Sequence, residues 1–188
     1  GVDGIHCNMT NTMNTPVEAL EIAYPFIITR YNLVPDTGGP GKFRGGLGIR
    51  RDYMILDEDA SFGILAERRK YPPYGLFGGC EAEPGLDLLV RPEERSEADE
   101  GELFNGALQA EVRSLPGKVN MTVQVGDVIQ IQTPGGGGYG DPLKRAPELV
   151  LQDVVEGRIS REHARERYGV ALADGEVNWE ETRRLREG

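Results

Sequence analysis

His6 and Cys7 stand side by side and are the one place in the chain where two soft donors meet. With Asp3 they make three candidate ligands, but a metal site needs three or four donors at sensible spacing, and no fourth is near. The pair reads either as a corner of a site or as a polar loop that hydrogen-bonds locally. Asn8, Thr10, Asn11, Thr12 and Asn14 follow. Their amides and hydroxyls either contact a substrate or satisfy their own turns. His163 lies far along the chain, in a helical stretch, and is expected at the surface. No Ser/His/Asp set, supported Cys/His pair or paired carboxylates on a defined element can be assembled, so these residues show no complete catalytic centre.

Two glycine stretches offer different chemistry. The first runs Thr37-Gly-Gly-Pro-Gly-Lys-Phe-Arg-Gly-Gly-Leu-Gly-Ile-Arg-Arg51, the second Thr133-Pro-Gly-Gly-Gly-Gly-Tyr-Gly-Asp-Pro142. A phosphate loop requires Gly-x4-Gly-Lys-Ser/Thr. Here Gly41-Lys42 is followed by Phe43, and Asp36 holds the place of the first glycine. A dinucleotide fingerprint fails too, because Arg51 stands where the third glycine belongs and a strand, not a helix, follows. What remains is a cradle in which bare N–H groups and Arg44 face an anion or a partner chain, or else a tight connection between strands. Gly135, Gly136, Gly137 and Gly138 either lie against an active site or partner, or mark a close crossing of backbone inside the fold. Four consecutive glycines cost much unfolded-state entropy, so something must compensate. Glu67-Arg-Arg-Lys70 before Pro72-Pro73 can bind phosphate through Arg68, pair with an acidic partner, or simply end a strand in solvent.

Composition narrows the function classes. The chain has 188 residues, 38% of them hydrophobic, and a formal net charge of −10 from 21 basic and 31 acidic residues. A nucleic-acid binder should be basic, so that class is disfavoured. No apolar run approaches a membrane span, and the first residues lack a secretory layout. Two separated cysteines, Cys7 and Cys80, suit a reducing, cytoplasmic compartment. The chain opens on Gly1, which leaves a processed chain, a split subunit and an expressed fragment all open.

The elements that must hold these residues follow from periodicity. Pro16 suits the first position of a helix over 17–23, with Thr15 as its cap and Pro25 as its stop. A β-branched and aromatic run predicts a strand over 26–34. Stretches 48–56 and 61–68 predict a hairpin turning at Asp57-Glu-Asp59, with Leu65 breaking the alternation and implying burial on both faces. A short strand is expected over 86–90. The acidic stretch 92–102 reads as an exposed loop. Clean alternation over 118–125 and 128–133 around Gly126-Asp127 predicts a second hairpin, with Ile129 and Ile131 inward. Helices then follow: Pro147 to Gly157, a second capped by Ser160 and ended by Gly169, and a third capped by Asn178. The fold expected is α+β, mostly antiparallel β over 1–145 with a small helical appendage over 146–188.

Four segments carry a family resemblance. Gly1-Val-Asp-Gly-Ile-His-Cys-Asn-Met-Thr-Asn-Thr-Met-Asn-Thr-Pro-Val-Glu resembles the His…Met-Thr-Asn-Thr…Pro-Glu segment of the hydantoinase B/oxoprolinase family. Glu67-Arg-Arg-Lys-Tyr-Pro-Pro-Tyr-Gly-Leu-Phe-Gly-Gly79 resembles its Glu-Arg…Pro-Pro-aromatic-Gly…Gly-Gly segment, and the glycine stretches complete the match, in order, over most of 1–168. The resemblance is to the C-terminal part of a longer subunit. It implies ATP-dependent opening of cyclic amides such as hydantoins or 5-oxoproline. The alternatives are carboxylation of ketones such as acetone or acetophenone, or a non-catalytic assembly role. It implies a hetero-oligomer with a hydantoinase A-like subunit that holds ATP and magnesium, and with the N-terminal part of a B-type subunit, where a divalent metal belongs. No metal ligand and no catalytic base carries over to these residues. The residues expected to face a substrate or interface are His6, Asn11, Thr12, Arg44 and Gly135 to Gly138.

Overall fold

The computed structural model describes residues 1–5, 14–58, 60–92 and 110–187. His6, Cys7, Asn11, Thr12 and most of the acidic 92–102 stretch lie outside them. The fold is α+β with antiparallel sheets, as expected. Helix α1 (Val17–Ala23) leads into β1 (Phe26–Val34), followed by β2 (Gly48–Ile55), β3 (Ser61–Leu65), β4 (Leu86–Pro92), β5 (Ala110–Ser114), β6 (Lys118–Thr122) and β7 (Val128–Gln132). A 3-10 turn (Pro142–Lys144) opens the helical segment: α2 (Pro147–Val155), α3 (Arg161–Tyr168), the short ladder β8 (Leu172–Ala173) and β9 (Glu176–Val177), and α4 (Trp179–Glu187).

Neither expected hairpin forms. β2 pairs with β1 and β7, β3 pairs with β6, and the five-stranded sheet runs β1-β2-β7-β4-β5. The register explains why. Arg50 faces Gln132 and Met54 faces Val128 in one sheet, while Ser61 faces Thr122 and Leu65 faces Lys118 in the other. Stretches 48–65 and 118–132 therefore form one long antiparallel ribbon that bends from one layer to the next. At the bend Ile55 donates to the Asp127 carbonyl, Gly126 to that of Ile55, and Val123 to that of Ala60. The turn residues mark the corner rather than a chain reversal. Bending the ribbon folds its apolar face over itself. Ile55, Leu89, Leu115, Val123 and Ile129 form the core, flanked by Phe62, Val119 and Met121 from the small sheet and Phe26, Tyr53 and Ile131 from the large one. Ile129 and Ile131 thus point inward as predicted. Leu65 does not: it is 79% exposed at the ribbon's end, so the small sheet buries one face only.

Asp127 fixes the corner. Its carboxylate accepts from the Gln124 N–H at 3.0 Å and from Arg91 at 2.9 and 2.8 Å. Burial pulls its pKa upward, but the Arg91 and Gln124 hydrogen bonds together outweigh that and leave it below the usual carboxylate value. A lowered folded-state pKa stabilises the fold fully above the unfolded carboxylate's pKa, about 4, and less as pH falls through the folded value. We expect the stability gap between wild type and Asp127→Asn to be largest near neutrality and to shrink as pH falls from 5 to 3. Urea unfolding across that range checks it, and a constant gap would remove the charge from the account.

The helix signals largely hold. Ser160 Oγ accepts from the His163 N–H at 3.0 Å, Gly169 closes α3 with φ 61°, and Asn178 Oδ1 accepts from the Glu181 N–H. At α1 Pro16 itself takes the cap position, and no side chain, Thr15's included, caps the helix. The helical segment has its own core of Val150, Ile159, Ala164, Tyr168 and Val170.

Candidate functional site

The two glycine stretches meet each other and a third segment, 73–82, in a bundle of extended chains outside the ladders. Their hydrogen bonds run in several directions. Gly39 donates to Gly136, Gly136 to Gly46, Gly138 to Cys80, Leu76 to Gly138, and Cys80 to Pro40, all at 2.8–2.9 Å. The chains pack backbone to backbone, so Cβ atoms have no room. A Cβ on Gly45 would sit 1.8 Å from the Gly136 carbonyl oxygen. Cβ atoms on Gly135, Gly137 and Gly138 would lie 2.0 Å from the carbonyl oxygens of Thr37, Tyr74 and Pro40. Gly136 has more room, its nearest neighbour being Gly46 N at 3.2 Å. The tetraglycine makes the internal crossing of backbone that one of its two readings expects.

Each segment leaves the bundle carrying an aromatic side chain to the same exposed end. Phe43 pairs with Tyr139, ring centroids 6.1 Å apart, and Phe77 lies 5.0 Å from Tyr139. Phe77 is 79% exposed and held at φ 52°, a left-handed conformation that a bulky residue rarely adopts. Lys42 stands over Phe43. Exposed, tightly grouped aromatics on a rigid base are a candidate recognition surface. The sequence reading missed it, although Phe43, Phe77 and Tyr139 each stand next to or within one residue of a glycine.

Arg44 does not reach into open solvent. It is 4% exposed and forks onto Asp3, Nη1 and Nη2 donating at 3.0 and 3.1 Å, with its Nε 3.6 Å from Asp153. Asp3 also accepts from the Leu47 N–H at 2.8 Å. Burial works against the Arg44 charge, and Asp3 and Asp153 together more than restore it. Asp153, in α2, accepts from Arg145 at 2.7 Å and from Arg158 at 3.4 Å. These groups line a cavity of ≈ 250 Å³ beside Phe43. Arg44 thus joins the glycine bundle to the helices, a role visible only once the structure sets Asp3 and Asp153 around it. The same packing buries Tyr168. Burial pushes its pKa up to about 12, against a smaller opposing pull from the Gly41 N–H, which lies near the hydroxyl but outside hydrogen-bonding geometry and leaves it unsatisfied among the described residues. Removing an unsatisfied buried hydroxyl should not destabilise, so Tyr168→Phe is expected to leave stability unchanged or raise it by about 1 kcal/mol, read from the thermal midpoint.

The remaining candidates resolve simply. His163 lies in the first turn of α3, not at the surface: its side chain is 15% exposed, with Nδ1 3.7 Å from Asp36, and burial lowers its pKa. In the Glu67–Lys70 run it is Arg69 that is engaged, donating to the fully buried Asp87 at 2.5 and 2.8 Å, while Arg68 is exposed. No group of three His, Cys, Asp or Glu among the described residues is placed to hold a metal. No described helix is long and apolar enough to cross a membrane.

The hydantoinase B/oxoprolinase family model matches residues 1–142. A protein of Pseudomonas sp. (strain NS671), assigned as the B-type subunit of a D-/L-hydantoinase, is 38% identical over 188 residues, 99% of this chain and 29% of the relative. The 5-oxoprolinases of Dictyostelium discoideum and Arabidopsis thaliana are 35% and 34% identical over 140 and 143 residues, 74% and 76% of this chain and 10% of each relative. Among solved structures, the ATP-dependent caprolactamase of Pseudomonas jessenii superposes with a TM-score of 0.75 at 32% identity, covering 94% of this chain and 28% of its own. A nucleotide-free acetone carboxylase shares the fold, with a TM-score of 0.74 at 23% identity over 94% of this chain and 26% of its own. The chain therefore spans less than a third of these proteins.

Proposed function

Because this chain belongs to the hydantoinase B/oxoprolinase family, we propose that it is the C-terminal portion of a B-type subunit in a cytoplasmic, ATP-dependent cyclic amide hydrolase. The observation that carries the reading is the 38% identity to a B-type hydantoinase polypeptide across 99% of the chain. ATP and magnesium are held by an A-type partner, in keeping with the failed phosphate-loop spacing around Gly41-Lys42. A divalent ion, where the assembly uses one, is held by the N-terminal part of a B-type subunit, as the family resemblance implies; among the described residues no three His, Cys, Asp or Glu are placed to hold one. The contribution of this chain is positional. The glycine bundle gives a stiff wall, and Phe43, Phe77 and Tyr139 give it an apolar surface toward a flat cyclic substrate or a neighbouring subunit. A rigid wall holds reacting groups in place without performing the chemistry itself.

The test is turnover in the full assembly, with A-type partner, ATP and magnesium present. Hydantoin, 5-oxoproline and caprolactam are supplied in turn, and ADP release is measured beside ring opening. Ring opening coupled to ATP use supports the reading. Bicarbonate-dependent consumption of acetone or acetophenone with no amide hydrolysis would replace it with a carboxylase. Turnover by this chain alone would overturn its positional role.

A further inference from the structure

The cavity beside Phe43 carries polar groups that the fold leaves unused. Arg44, Arg145 and Arg158 line it together with Asp3 and Asp153, so three guanidiniums face two carboxylates. Arginine keeps its charge throughout the physiological pH range, and the surplus of one positive charge stays with the cavity. That count takes side chains alone. The Gly1 ammonium, which donates to the Arg44 carbonyl, also lies on the wall and adds no negative charge. Glu156 is a third carboxylate but stands outside the lining. It pairs with Arg158 from the rim, 36% exposed, where water screens the pair.

The hydrogen bonds are incomplete in the same place. Arg44 turns its terminal nitrogens to Asp3 and the Gly45 carbonyl, and Arg145 turns its own to Asp153 and the Lys42 carbonyl. The Nε–H of each is buried and has no acceptor among the described residues. Arg44 Nε lies 3.6 Å from Asp153, beyond hydrogen-bond length. Buried donors are nearly always satisfied, and a charged one left without an acceptor is costly. A cluster serving the fold alone gains most when its charges balance and its donors are all used. This one lacks one negative charge and two acceptors. A carboxylate brings both, and arginine–carboxylate bonds are among the strong ones. At ≈ 250 Å³ the cavity is smaller than the roughly 300–1,000 Å³ of drug-sized sites, which suits a ligand of amino-acid size. Exposed Phe43 and Val2 give its wall an apolar part for the ligand's carbon skeleton.

We propose that this cavity binds the carboxylate of a small organic acid, with Arg44, Arg145 and Arg158 as its cationic wall. Adding water across the C–N bond of any cyclic amide leaves a carboxylate and an amine. On the functional reading above, and resting on it, the occupant is therefore the ring-opened product.

The experiment is isothermal titration calorimetry on the full chain, repeated with the A-type partner bound. The probes are hexanoate, 6-aminohexanoate, caprolactam and inorganic phosphate. Both carboxylates should bind with Kd tighter than about 1 mM, and uncharged caprolactam at least about tenfold more weakly. Arg158→Gln should weaken hexanoate binding at least about tenfold, and Glu156→Gln, which frees Arg158, should tighten it. Both side chains are partly exposed, so thermal midpoints should stay close to wild type, and the wild-type preference for carboxylates stands as a test without either variant. Caprolactam binding as tightly as hexanoate, phosphate binding more tightly than either carboxylate, or an Arg158→Gln chain that binds normally would overturn the proposal. So would carboxylate binding that disappears once the partner is bound. Turnover of the same assembly separates the two readings. Carboxylate binding without ring opening sinks the hydrolase and keeps the anion site, while ring opening without carboxylate binding does the reverse.

Discussion

Alanine at Gly45, Gly135 or Gly138 is expected to cost the fold most of its stability, whereas alanine at Gly136 is expected to be tolerated. The difference lies in what the new methyl group meets. At Gly45 it would stand 1.8 Å from the Gly136 carbonyl oxygen and 2.5 Å from that carbonyl's carbon. At Gly135 and Gly138 it would stand 2.0 Å from the oxygens of Thr37 and Pro40. All of these are backbone atoms in neighbouring chains of the bundle, so no side chain can swing aside. Relief requires the chains to separate by more than an ångström, which breaks the hydrogen bonds between Gly39 and Gly136 and between Gly138 and Cys80. Buried backbone groups left unpaired add their own cost to the overpacking. A loss beyond about 4 kcal/mol is expected for each, most of the stability of a marginal domain. Gly136 differs because its nearest neighbour is 3.2 Å away and the next two are 3.8 Å away. A shift of a few tenths of an ångström accommodates the methyl, and the reduced freedom of the unfolded chain offsets part of the strain, leaving an effect within about 1 kcal/mol. Soluble yield and urea unfolding of the four variants check the pattern. Equal tolerance at all four positions would mean that the bundle is not close-packed.

The same glycines show what the sequence could and could not disclose. Their number and their bulky neighbours marked the segments as built, because flexible linkers are not punctuated by Phe43, Arg44 and Tyr139. Which chains they would cross was hidden, since the third member, around Gly75 and Gly79, lies far from both stretches and is recognised only by contact. The ribbon had the same difficulty. Alternation along 118–132 correctly sets Ile129 and Ile131 inward, because a side chain's face is a local property. Pairing is not local. Gly126-Asp127 has the composition of a reversal, yet the chain bends there because a partner strand, 48–65, already lies alongside on both sides of the corner. Caps were the most legible features, since Ser160, Gly169 and Asn178 act within a few residues of their own positions. Arg44 stood out by residue type, either facing an anion or partner chain or lying in a tight connection between strands. Its partners Asp3 and Asp153 are 41 and 109 positions away, and nothing in their local sequence ties either to it.

That separation makes Asp153 the position where one atom's change should matter most. Its two oxygens serve Arg145 at 2.7 Å, Arg158 at 3.4 Å and the Nε of Arg44 at 3.6 Å, and its side chain is 3% exposed. Arg44 keeps Asp3 when Asp153 is neutralised, but Arg145, 12% exposed, loses its carboxylate and keeps only the Lys42 carbonyl. A buried cation stripped of its counter-charge is expensive, and Asp153→Asn is expected to cost about 3–5 kcal/mol. Removing both charges costs less than removing one, because the desolvation of the surviving ion disappears with it. The double variant Asp153→Leu with Arg145→Met should therefore be more stable than Asp153→Asn alone, and a double-mutant cycle in urea at neutral pH measures the difference. The damage should also be local. Asp153 fastens α2 to the bundle while Ile55, Leu89, Val123 and Ile129 form a separate core. Loosened helices open at lower free energy than the sheets do, so trypsin should cut first at Arg145 and Arg158 in the Asp153→Asn chain. Cleavage spread evenly over the chain, or a double variant less stable than the single one, would show that the cluster is not the tie between the two parts.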